Sequence, residues 1–176
     1  MTLIEIHKLE MQENYPAAID ALEERLQADR NESETVVRLG FNLWYAVVEN
    51  ERMGKNLPVK KYAARFSELY KNTREKFKEN ADYCWAYGLG ISMFWYYFPN
   101  TTGEEGEGLI NRARELEPFW SSFLEQNNSI ERLLQRMAPS IYWWLWKKRT
   151  KEKIARLDNR GIFTSYYNIP YLKEKV

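Results

Sequence analysis

The sequence predicts an all-α protein, and three observations carry that prediction. Apolar residues recur at helical spacing, glycine and proline fall almost entirely at the joints between the recurrent segments, and no segment alternates apolar with polar residues between hairpin turns. A chain of 176 residues fits one domain and can bury a contiguous core without disulfides or a metal. Residues 1–176 therefore read as a single helical domain, with a core of antiparallel helix pairs over about 15–126 and a C-terminal helix and tail over about 129–176.

The first helix is expected to start near Pro16, where a missing N–H costs nothing. Ile19, Leu22 and Leu26 then form one apolar stripe opposite Asp20, Glu23, Glu24 and Arg25. After a turn at Asp29-Arg30-Asn31, either Asn31 with Glu34 or Ser33 alone can cap the second helix. That helix carries Val36, Val37, Leu39, Gly40, Leu43, Trp44 and Val47 on more than one face, which predicts a helix sandwiched between neighbours and ending near Met53-Gly54.

A third helix from about Val59 to Phe77 turns Tyr62, Phe66, Leu69, Tyr70 and Phe77 inward. A fourth, roughly Asp82 to Phe98, is aromatic on all sides and reads as the most buried element. Thr102-Gly103-Glu104-Glu105 fits a capping box, with Glu105 reaching back, for a fifth helix ending near Glu117, and Pro118 can open a sixth. From Ser129 onward, Ile130, Leu133, Leu134, Met137, Ile141, Trp144 and Leu145 hold one face, with a kink or a junction at Pro139. Beyond Gly161 the periodicity fades into an aromatic tail, Phe163 to Tyr171, without clear helical character.

Leu39-Gly40-Phe41-Asn42-Leu43-Trp44-Tyr45 aligns with Leu89-Gly90-Ile91-Ser92-Met93-Phe94-Trp95. A mid-helix glycine costs about 1 kcal/mol against alanine, so two at matching places call for a packing reason, namely close approach of a neighbouring helix. Leu109 to Pro118, with small Ala113 and closing Pro118, resembles the second half of a tetratricopeptide repeat. Trp85, Leu89 and Gly90 resemble the signature of its first helix, although Gly106 stands where alanine is usual. The resemblance covers residues 85–118, is faint over 36–77 and is absent after about 130. It implies a right-handed α-α stack with a C-terminal aromatic and basic extension. It also implies function by surface, with a concave groove offered to peptides or proteins.

No catalytic set assembles from the residues. The only histidine, His7, reads as a surface residue near a frayed terminus, and the only cysteine, Cys84, as a small buried hydrophobe. Glu104, Glu105 and Glu107 favour the positive end of a helix dipole, which accounts for them without a metal or an acid–base role. No catalytic, cofactor-binding or metal-binding residue is therefore expected. A lone cysteine and a start without a basic, apolar leader point to a cytoplasmic protein, and no apolar run reaches the roughly 20 residues of a spanning helix.

Two features point to partners. Residues 147–156 hold six positive charges and one negative, a local +5 in a chain of net +1, directly after the aromatic run Tyr142 to Trp146. The aromatic tail is too apolar to stay free and is expected either to fold back on the stack or to dock on a partner. The candidate partner-binding residues are Trp143, Trp144, Trp146, Lys147, Lys148, Arg149, Tyr166, Tyr167 and Tyr171. The expected function is a non-catalytic protein-binding module, a small bacterial adaptor such as a toxin-neutralising immunity protein. The alternatives are a secretion chaperone, or a nucleic-acid-binding protein using the basic segment. Homo-oligomerisation is left open.

Overall fold

A computed structural model describes residues 1–50, 56–117, 137, 139–167 and 169–175. Among the described residues it contains nine α-helices, one 3₁₀ turn and no strand. The helices are α1 (Leu3–Met11), α2 (Tyr15–Ala28), α3 (Ser33–Val48), α4 (Val59–Phe77), α5 (Ala81–Phe94), α6 (Gly103–Leu116), α7 (Pro139–Leu157), α8 (Ile162–Tyr166) and α9 (Ile169–Lys175), with the 3₁₀ turn at Trp95–Tyr97 after α5. None of the described helices is long and apolar enough to cross a membrane.

The N-terminus departs from expectation. It is helical rather than frayed because Thr2-x-x-Glu5 closes a capping box. Thr2 Oγ1 accepts from the Glu5 N–H at 3.3 Å, and the Thr2 N–H donates to Glu5 Oε2 at 2.7 Å. The helix so started buries Ile6 and Glu10 one turn apart. In α2, Pro16 stands in the first turn as expected, and Ile19, Leu22 and Leu26 are buried with Tyr15, Ala18 and Ala21. The N-cap of α3 is Glu32, without a side-chain cap bond, so neither Asn31 nor Ser33 plays that part. The Glu32 carboxylate is instead engaged by Arg25 on α2 and by Thr35.

Consecutive helices pack in pairs, α1 on α2, α3 on α4 and α5 on α6, and α3 also meets α2 and α5. Twelve of the sixteen residues of α3 are buried, as a sandwiched helix requires. It ends at Val48, short of the expected Met53-Gly54, and the helices expected from Pro118 and over Ile130 to Leu134 lie outside the described residues. The contact between α3 and α5 explains the paired Leu-Gly signature. A Cβ at Gly40 would clash with the edge of the Tyr87 ring, 2.8 Å from its Cε2 and nearer yet to its Cζ, and one at Gly90 would lie 2.6 Å from Trp44 Cδ1. Each helix seats a ring in the notch left by the other's glycine. Because Gly40 meets Tyr87 and Trp44 meets Gly90, the two helices run in the same direction.

Between α4 and α5 lies a stack of rings. Tyr87 stands 5.1 Å from Phe66, 5.7 Å from Tyr70 and 4.4 Å from Tyr83. Buried phenols need hydrogen-bond partners, and each has one. Tyr87 donates to the Val36 carbonyl at 3.2 Å, Tyr83 pairs with Thr73 Oγ1 at 3.0 Å, and Tyr70 donates to Glu105 at 2.8 Å. That last bond corrects the capping expectation for α6. Thr102 does cap, accepting from the Glu105 N–H at 3.2 Å, but the Glu105 side chain joins Tyr70 and Arg74 on α4 instead of reaching back. The α5 helix also ends early, at Phe94. Phe98 precedes Pro99 and adopts an extended backbone, φ −110° and ψ 110°, as a pre-proline residue tends to.

The α5–α6 crossing is closer still. A Cβ at Gly106 would lie 2.6 Å from Ser92 Cα and nearer yet to its backbone nitrogen, whereas one at Gly108 would meet nothing within 4 Å. Both glycines lie inside α6, so propensity alone would favour alanine at each. Gly106→Ala is expected to destabilise by about 1–3 kcal/mol through overpacking against backbone that cannot yield. Gly108→Ala should stabilise by up to about 1 kcal/mol. Urea denaturation of the two variants checks the opposite signs.

Candidate surfaces and a buried polar cluster

The first half of α7 is mostly exposed and its second half packs inward. Thr150 and Leu157 are buried and Trp146 and Ile154 half-buried, while Trp143 and Trp144 are 55% and 63% exposed. Lys147, Lys148 and Lys151 are exposed as well, and spacings of four and eight residues set them on the same side as the two indoles. Trp143 meets Trp146 edge to face at 5.1 Å, and the Lys148 ammonium stands 5.9 Å from the Trp144 ring. Arg149 is exposed too. The expected apolar stripe through Trp144 and Leu145 is only partly buried, since Trp144 faces out. At the far end of the basic segment Arg156 turns inward, paired with Asp82 at 2.7 Å and with Glu117.

The aromatic tail folds back on the stack. Ile162, Phe163 and Ile169 are fully buried, and the tail forms α8 and α9 where no clear helix was expected. The Phe163 ring lies 4.5 Å from Phe41. Tyr166 meets Phe41, Trp44 and Tyr45 at 5.4, 5.7 and 6.3 Å, and the Tyr167 hydroxyl accepts from Trp85 Nε1 at 2.7 Å. Among the described residues no ring contact joins Tyr166 or Tyr167 to Trp143, Trp144 or Trp146, so the eight described candidate residues divide between two surfaces. Tyr171 falls on α9, and its side chain lies outside the described residues. The segment is held at its start by Arg160, which bridges Glu34 on α3 and Asp82 at 2.8 Å on α5.

Beneath this segment is a polar cluster that the sequence reading missed. Arg38, Phe41, Asn42 and Tyr45 occupy one face of α3 at i, i+3, i+4 and i+7. Arg38 donates to Glu10 Oε2 at 2.6 Å and to the Leu3 carbonyl at 2.9 Å, and Asn42 donates to Glu10 Oε1 at 2.6 Å. All three side chains are essentially sealed from solvent, at 1%, 1% and 0% exposure for Glu10, Arg38 and Asn42. Burial pushes the Glu10 carboxyl above its usual range, against the pull of Arg38. Gly161, with φ 66°, roofs the pair: a Cβ there would lie 2.6 Å from Arg38 Nε. His7 belongs to this neighbourhood rather than to an open surface. It is half-buried, and burial together with Arg38 holds its pKa below the ordinary imidazole value.

Other reactive groups are engaged in structure. Cys84 is fully buried, donates to the Lys78 carbonyl at 3.3 Å, and burial pushes its thiol up to about 11. Glu104 and Glu107 are exposed, and Glu105 is bound by Tyr70 and Arg74. Among the described residues no three His, Cys, Asp or Glu side chains converge as metal ligands would. One further exposed surface was not expected: Met93, Trp95, Tyr96 and Tyr97 are between 44% and 62% exposed where α5 gives way to the 3₁₀ turn. The fold defines a class, all-α with packed helix pairs. Comparison with protein families, curated proteins and solved structures finds no match.

Removing one partner of the buried pair leaves the other charge uncompensated. Glu10→Leu is expected to cost about 3–5 kcal/mol, and the double change Glu10→Leu with Arg38→Met far less than that. Denaturant midpoints of both variants against the parent chain give the comparison.

Proposed function

We propose that this chain is a non-catalytic protein-binding module that offers the outward face of α7 to an acidic surface of another protein. The observation that supports it is the exposure of Trp143 and Trp144 on the same side of one helix as Lys147, Lys148 and Lys151. Tryptophan is enriched at the energetic centres of interfaces, and complementary charge around such anchors speeds and orients encounter. The tetratricopeptide-like resemblance of residues 85–118 agrees with a role exercised by surface, and packed helix pairs are compatible with it. Within that reading a toxin neutralised by a small helical immunity protein is the proposed partner, with a secretion chaperone as the alternative setting.

The same face favours a second reading. Lysines beside exposed indoles also suit a nucleic-acid backbone with stacked bases. The two readings part on salt: nucleic-acid affinity falls as a steep power of ionic strength, whereas a protein interface anchored on indoles retains most of its affinity.

For a protein partner isolated from the source organism, Trp144→Ala is expected to weaken binding by about 2 kcal/mol, roughly thirtyfold. Lys147→Glu with Lys148→Glu should chiefly slow association and flatten its salt dependence. Calorimetry and stopped-flow mixing measure the two effects. Unchanged binding by the combined variant removes the α7 face from the account.

A further inference from the structure

The segment after α7 lies on the stack as a bound peptide would. The α8 helix has five residues, far too few to hold a helix in water, so the surface beneath imposes its shape. That surface is an aromatic groove along α3 and α5 with α1 closing one side, where Phe163 lies on Phe41, Tyr166 stands edge-on to Phe41 and Trp44, and Tyr167 is bonded to Trp85. Entry to the groove is a turn with two left-handed residues, Asn159 at φ 59° and Gly161 at φ 66°. Between them Arg160 latches onto Glu34 and Asp82.

The fit between segment and groove is incomplete. Arg38 and Asn42 are 1% and 0% exposed, yet Arg38 Nε and Asn42 Oδ1 have no hydrogen-bond partner. Buried polar atoms are ordinarily paired. Here the floor presents a donor and an acceptor that the backbone at Gly161, packed directly over Arg38 Nε, does not meet. Alongside the segment a cleft of about 510 Å³ is lined by Glu10, Tyr45, Ser165 and Tyr166, and Tyr166 keeps 37% of its surface in solvent. The segment thus leaves a cleft at its side and two polar atoms unpaired beneath it.

We propose that residues 161–167 are a displaceable strap, the in-chain occupant of a peptide groove on α3 and α5. The occupant that replaces it is a segment of a partner protein with the same ring spacing, one large ring followed three and four residues later by two more, and with main-chain polar groups placed against Arg38 and Asn42. This groove is separate from the outward face of α7, so loss of Trp143 and Trp144 leaves it intact, and either reading can fail while the other stands.

The test uses the full chain and a labelled synthetic peptide with the sequence of residues 161–171, read by fluorescence anisotropy. In the parent chain the strap competes with the peptide. Arg160→Gln, which opens the latch, and Tyr166→Ala, which removes a half-exposed ring, are each expected to bind the peptide about tenfold more tightly than the parent does. A peptide with alanine at the positions of Phe163 and Tyr166 should not bind. Equal, weak binding by the folded variants and the parent overturns the proposal. Hydrogen exchange on the unaltered chain decides independently of whether a variant folds. Amides of residues 162–167 should exchange about a hundredfold faster than those of α3, by local opening. Exchange at the α3 rate shows a fixed part of the core and overturns the strap.

Discussion

Trp44 and Tyr87 each occupy the space where the opposite helix has a glycine in place of a side chain, and the arrangement of the other elements follows from that exchange. The two mid-helix glycines cost about 1 kcal/mol each in helix propensity, while burying a large ring contributes about 1.5–3 kcal/mol, so each glycine's cost is more than offset once its ring is seated. Once they are, α3 and α5 lie side by side in the same direction. Tyr87 is carried into the ring stack with Phe66, Tyr70 and Tyr83, and its hydroxyl reaches the Val36 carbonyl. Phe41 and Trp85 are brought to the surface on which α8 lies. The high aromatic content of the chain is thus largely a consequence of packing helices through rings and notches rather than through aliphatic ridges.

The polar groups near α3 have a different effect. Glu10, Arg38 and Asn42 are sealed inside at a position where apolar residues of similar volume would serve stability as well or better. What the cluster supplies is a unique register for α1, because Glu10 must meet both partners, and a floor over which only a glycine can pass. A chain of alternating charges, Glu34 to Arg160 to Asp82 to Arg156 to Glu117, then ties the C-terminal region to α3, α5 and the end of α6. The basic segment is therefore divided in use. Arg156, with Arg160 just beyond the segment, ties the C-terminal region to the stack, and Lys147, Lys148 and Lys151 are left facing outward beside the two indoles.

Elements governed by local pattern were legible in the sequence. The α4 helix shows a strict apolar stripe with charges opposite, and it runs over the expected residues, Val59 to Phe77. The twin Leu-Gly signature announced a close helix contact, and Thr102 announced the start of α6. Features set by distant partners were not legible. Glu10 and Arg38 are 28 residues apart, and nothing local marks a surface-type pair as buried. The Glu105 carboxylate was free to cap by its spacing, but Tyr70 and Arg74 offered stronger bonds. The tail shows no periodicity because a five-residue helix has none to show, and its order comes from the groove beneath. The α1 helix was readable, since Thr2-x-x-Glu5 is a capping signature, but position at the terminus argued against it. Of the candidate partner residues, the sequence identified the exposed Trp143, Trp144, Lys147 and Lys148 by composition. It could not separate them from Tyr166 and Tyr167, which lie against α3 and α5.

The interlock of α3 with α5 is tested most directly by a double-mutant cycle on Gly90 and Trp44. Gly90→Ala places a methyl against the indole, so its cost depends on that ring being present. The account predicts that Gly90→Ala destabilises the parent chain, that the cost largely disappears in a Trp44→Leu background, and that the coupling between the sites exceeds about 1 kcal/mol in urea denaturation. Additive effects, agreeing within about 0.5 kcal/mol, would contradict the seating of Trp44 in the Gly90 notch and the parallel packing built on it.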